Sequence, residues 1–142
     1  MSSKSARVAA LIPEDHDSQH DPRYIGWFQC FNKGQFYEAH DVLEDLWLED
    51  RNGPDGDFFK GLIQLAGAFV HFQKGRPRPA RKLLDLAANY LGRYPSPHLD
   101  LDLEFILEMA RSWREKAATA QAAEFLLERN TPPKLAPTHL PL

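Results

Sequence analysis

Three side chains in this sequence stand out for the chemistry they could share. His40 and Glu44 lie four residues apart in Phe36-Tyr37-Glu38-Ala39-His40-Asp41-Val42-Leu43-Glu44. On a helix that spacing lets the two side chains meet. His71 closes a long apolar run that begins at Gly61. Imidazole and carboxylate are general acid–base groups and also metal ligands. Polar groups in the apolar stripe of a small helical protein are costly unless paired, so these three need a reason to be there.

Three chemistries suit them. In the first, His40, Glu44 and His71 ligate a divalent metal ion such as zinc, with one position open to water and Gln64 behind them. The pattern is not the His-Glu-x-x-His helix of zinc proteases, because position 41 is Asp and position 44 is Glu. In the second, His40 and Glu44 are a metal-free catalytic acid–base pair in a cleft. No motif places a serine or cysteine nucleophile beside them, and Cys30 reads as a small buried hydrophobe. In the third, His40, Glu44, Gln64, His71 and the Trp47 indole satisfy one another and hold helices in register.

Helices must position these residues, and the prolines and glycines mark where the helices stop. Asp21-Pro22 reads as a cap followed by proline at the first helical position. Gly34 and Gly75 read as C-terminal glycines. Pro77 and Pro79 start a helix, and Pro95 and Pro97 end it. Pro54 falls in a loop, Pro13 in a polar leader, and Pro132, Pro133, Pro137 and Pro141 mark an extended tail. Five helices are predicted, over 22–32, 36–50, 57–74, 77–94 and from about residue 100 onward, with no strand. The Ala-rich stretch 117–127 either continues the last helix or forms a sixth.

Residues 31–43 also align without gaps on 72–84, with Phe, Lys, Gly, Ala and the final Leu coinciding. The repeated unit is a helix, a glycine turn and a second helix. Two units fall short of the three a solenoid usually needs, so the expected fold is an all-α, compact antiparallel bundle of five or six helices built on two helical hairpins.

On the 36–50 helix, Phe36, Ala39, Leu43, Leu46 and Trp47 share one stripe at about 100° per residue. Glu38, Asp41, Asp45 and Glu49 fall on the opposite face and read as solvated. His40 lies at the edge of the stripe, with Glu44 beside it. The 57–74 helix is apolar around most of its circumference and should be central. Its weakly apolar strip of Lys60, Gln64, Gly67 and His71 faces either solvent or the 36–50 helix. In the latter case Gly67 would permit close approach between the two helices.

Composition limits the rest. A chain of 142 residues carrying a net charge of −3 fits a single domain and has no electrostatic reason to bind nucleic acid or an anionic membrane. Its single cysteine excludes an intrachain disulfide. The run Val8 to Ile12 is too short for a signal-peptide core. The apolar stretch 61–72 is interrupted by Gln64 and too short to span a bilayer. The expected protein is cytoplasmic, with a flexible leader over 1–20, a helical domain over 21–130 and a Pro-rich tail over 131–142. The region 120–127 is apolar enough to pack on the bundle or on a second subunit, which leaves a homo-oligomer open. Lys74, Arg76, Arg78, Arg81 and Lys82 form a basic cluster, read as a solvated turn.

The string Phe31-Asn32-x-Gly34-x-Phe36-x-Glu38-Ala39-His40-x-x-Leu43-Glu44-x-x-Trp47, then Phe59-x-Gly61-Leu62-Ile63-Gln64-Leu65-Ala66, then His71 and Gly75, resembles domain-of-unknown-function family 309. The resemblance covers roughly residues 24–102. It implies an all-helical fold and, by a label some members carry, a metal-dependent hydrolase. Members usually carry Glu after the motif histidine, where this chain has Asp41. The non-catalytic alternative is a helical-hairpin interaction module.

Overall fold

The protein is described from a computed structural model that covers residues 3–12 and 19–138. Pro13 and Pro141 lie outside the described residues. The fold is all-α, with six helices among the described residues: α1 (Ser3–Leu11), α2 (Pro22–Asn32), α3 (Phe36–Asp50), α4 (Gly56–Gln73), α5 (Pro77–Leu91) and α6 (Leu103–Thr119). From α2 to α6 each helix packs on the next, and α1 lies across α3 and α2. No described helix is long and apolar enough to cross a membrane.

The helix ends follow from local chemistry. Asp21 caps α2 by accepting from the Arg23 N–H, with Pro22 at the first position. Asp102 caps α6 by accepting from the Phe105 N–H. The two hairpin turns are the same motif made twice. Gly34 and Gly75 sit at φ +76° and +66°, a left-handed conformation that glycine adopts without Cβ strain. After the first, Gln35 N donates to Cys30 O and Gly34 N to Phe31 O; after the second, Arg76 N donates to His71 O and Gly75 N to Phe72 O. These are the paired bonds of a Schellman ending, so the sequence repeat is a repeat of structure.

The core is aromatic and centred on α4. Phe69 meets Phe31, Phe36, Phe72 and Trp113, drawing α2, α3 and α6 onto one ring. At the other end of α4, Phe58 packs on Tyr24, Tyr94 and His98.

Four expectations are corrected. The segment read as a leader carries α1, and its Val8 is buried. Asp41, read as solvated, is only 2% exposed. α1 covers the Asp41 end of the face of α3 that looks polar by itself, and Arg7 reaches the Asp41 carboxylate at 2.7 Å. Its neighbours on that face, Asp45 and Glu49, are exposed and bind Arg23 at 2.8 and 2.7 Å.

The third correction concerns 117–127, which continues α6 only as far as Thr119 and forms no further α-helix beyond it. Backbone at Ala120 turns extended, and only a short 3-10 turn forms at Leu126–Glu128. Phe125 lies against Gly75 and Leu126 is buried, so packing against the second hairpin turn overrides helix propensity here. The fourth is Gly67, whose close neighbour is Leu83 of α5 rather than α3.

The described residues beyond 130 have no helix or strand, yet they are docked. The Asn32 side-chain amide donates to Leu135 O and accepts from Leu135 N, each at 2.7 Å. The Leu135 side chain is buried.

Candidate functional site

Gln64, Gly67 and His71 of α4 face a groove of about 210 Å³ whose other walls are Tyr37 and His40 of α3 and Leu83 of α5. Ile63 and Val70 complete the lining. The antiparallel run of α3 and α4, joined by the loop after Asp50, brings the start of α3 opposite the end of α4. That places His40 and His71 on one groove. Glu44 and Trp47 do not line it. Trp47 instead carries the Lys60 ammonium 4.3 Å from its ring centroid.

His40 is bracketed by carboxylates of its own helix. Nδ1 lies 3.3 Å from Asp41 Oδ1, and Nε2 lies 3.8 Å from Glu44 Oε2. The first is a hydrogen bond; the second is an ion-pair distance only. Tyr37 lies nearly parallel to the imidazole, with ring centroids 6.1 Å apart.

His71 is in a different state. Its Nδ1 is buried and has no hydrogen-bond partner. Burial pulls its imidazole below the ordinary histidine range, and Arg76 and Lys74 push the same way. The ring is therefore neutral at pH 7, with one nitrogen unsatisfied. The expected network of His40, Glu44, Gln64, His71 and Trp47 does not close around it.

The metal set does not fit either. Among the described residues no three His, Cys, Asp or Glu side chains are grouped so as to hold a metal ion. Glu44 stands behind His40 rather than on the groove wall. Cys30 is buried, which pushes its thiol up to about 11 and leaves it a poor nucleophile.

A second polar region escaped the sequence reading. His98 Nε2 bonds Asp55 Oδ1 at 2.7 Å, and its ring packs on Phe58 and Tyr94. Tyr94 donates to Pro54 O at 2.8 Å and accepts from Phe58 N at 3.0 Å. Backbone bonds between His98 and Leu101 close a turn whose central residues, Leu99 and Asp100, have φ of +45° and +63°. That conformation is strained for both, most of all for leucine. Three contacts from two distant segments hold it: Tyr24 Oη donates to Leu99 O, Thr138 N donates to Asp100 O, and His20 Nε2 lies 2.8 Å from Asp100 Oδ2. The only local signal, Pro95-Ser96-Pro97-His98, reads as a helix stop and reveals none of these partners.

Residues 25–83 match the model of the family described as Domain of unknown function (DUF309). The match spans the whole groove, from Tyr37 to Leu83. Over 63 residues the chain is 36% identical to an uncharacterized protein of Aquifex aeolicus (strain VF5), covering 41% of this chain and 19% of that protein. Over 110 residues it is 29% identical to the uncharacterized protein YpuF of Bacillus subtilis (strain 168), covering 73% of this chain and 62% of that one. The chain thus spans less than two thirds of the length of each of these relatives. No solved structure matches it significantly.

Proposed function

We propose, from the geometry of the groove within the residues 25–83 that match the DUF309 family model, that this chain binds a small ligand between α3 and α4. The supporting observation is the buried, unpartnered Nδ1 of His71 at a groove that His40 and Gln64 also line. Leaving such a nitrogen unsatisfied costs about 1–3 kcal/mol, a cost that a ligand's hydrogen bond would offset once the ring turns that nitrogen toward the groove. The groove is smaller than the roughly 300 Å³ at which pockets for drug-sized molecules begin. The ligand is therefore a compact molecule with a hydrogen-bonding head for His71, Gln64 and His40. Its apolar body lies against Ile63, Val70 and Leu83.

Metal-dependent hydrolysis has no assembled ligand set in its support among the described residues. Metal-free acid–base chemistry has one observation in its favour, the placing of His40 between Asp41 and Glu44. The helical scaffold serves as a rigid frame in either case.

Long-range proton–nitrogen NMR spectra of the histidine rings test binding. During titration with acetate, benzoate or benzamide, the His71 Nδ1 resonance is expected to move saturably with at least one probe. A crystal structure in which His71 Nδ1 bonds to a group of its own chain, together with no response to any probe, would refute the reading.

A further inference from the structure

α1 brings a cation to the neighbour of His40 that the groove's lining does not reveal. Arg7 Nη2 donates to Asp41 Oδ2 at 2.7 Å, and Asp41 Oδ1 lies 3.3 Å from His40 Nδ1. Asp41 is 2% exposed. A carboxylate so buried is an acceptor only, and it is costly without a cation. Arg7 supplies that cation from a helix more than thirty residues away in sequence. The remaining oxygen of Asp41 can satisfy itself on His40 only if Nδ1 carries a proton.

We propose that Asp41, anchored by Arg7, is a positioning residue for His40: it holds the Nδ1–H tautomer, leaving Nε2 as the bare nitrogen beside the groove. A histidine's working nitrogen is decided in this way by the bond its other nitrogen makes. α1 thus belongs to the site although it contributes nothing to the groove wall. The role assigned to His40 Nε2 rests on the ligand-binding reading; the tautomer itself does not.

The experiment is therefore run on the full chain without ligand. At pH 8, above the ordinary histidine range, long-range proton–nitrogen spectra distinguish the two neutral tautomers of each ring. Wild-type His40 is expected to be mostly Nδ1–H. In Asp41→Ala the ratio is expected to invert toward Nε2–H, the form a solvated imidazole favours. Arg7→Ala is expected to shift the ratio the same way by a smaller amount, because Asp41 loses its anchor. The His98 ring, tied to Asp55 far from α1, serves as the internal control for an intact fold. If Asp41→Ala fails to fold, Arg7→Ala and Arg7→Lys carry the test. An Nε2–H form in wild-type protein, or a ratio unchanged in folded variants, overturns the proposal. A groove that binds none of the probes leaves the tautomer result standing.

Discussion

His98 and His71 are both half-buried rings beside a helix end, and their surroundings differ in every other respect. The His98 region is closed on itself. Its imidazole has Asp55, Tyr94 serves two backbone groups, and the strained turn at Leu99 and Asp100 is held by Tyr24, His20 and Thr138. The His71 region is open: a buried nitrogen has no partner, and the residue that carries it lines a groove. Most buried polar groups are satisfied by the fold, although the Trp27 indole nitrogen in the aromatic core is not. A buried polar group that the fold leaves unsatisfied lowers stability, and such sites concentrate where a protein binds something. The location of a histidine in the core therefore says less than the inventory of its partners.

Stability measurements can break this contrast. The largest effect is expected at the closed region. His98→Leu removes a charge-assisted bond, leaves Asp55 unpaired, and should lower stability by about 2 kcal/mol, read as a lower urea midpoint. The opposite sign is expected at the open region. His71→Leu keeps an apolar body of similar reach and deletes the orphaned nitrogen, so stability should rise by about 1 kcal/mol. Destabilisation by His71→Leu comparable to that of His98→Leu would mean that His71 has a structural partner and that the contrast is false.

The smallest effect concerns pH. The folded-state pKa of His71 is depressed by burial and by Arg76 and Lys74, below the unfolded value of about 6.5. The unfolded chain then binds the proton more readily. The contribution of His71 is fully present above that unfolded value and is lost as pH falls through the depressed folded one. Between pH 7.5 and 5 the urea midpoint of wild-type protein should fall more steeply than that of His71→Leu. Parallel profiles would place the His71 ring in water.

Much of the architecture was legible because it is locally encoded. Asp21-Pro22, Gly34 and Gly75 mark helix ends through bonds that span only a few residues, and α2 and α3 have the bounds predicted for them. The repeated Phe-x-Lys-Gly string predicted twin turns, because a Schellman ending needs only a glycine and the carbonyls just before it. The candidate site was half legible. Helical spacing put His40 beside Glu44, and the strip Gln64–Gly67–His71 could be drawn on a wheel. Whether that strip met water or another helix could not be read, since a wheel contains no neighbours. Asp41 was misread for the same cause: α1 covers it, and α1 is remote in sequence.

The sequence by itself determined the helices, their turns and which residues share a face, because periodicity and capping act over one or two turns of chain. Tertiary structure alone decided which polar groups are satisfied. Arg7 meets Asp41, Asn32 meets Leu135 and Thr138 meets Asp100 across 34, 103 and 38 residues. His71 Nδ1 meets nothing. The cost of a buried polar atom depends on what covers it, and what covers it comes from elsewhere in the chain.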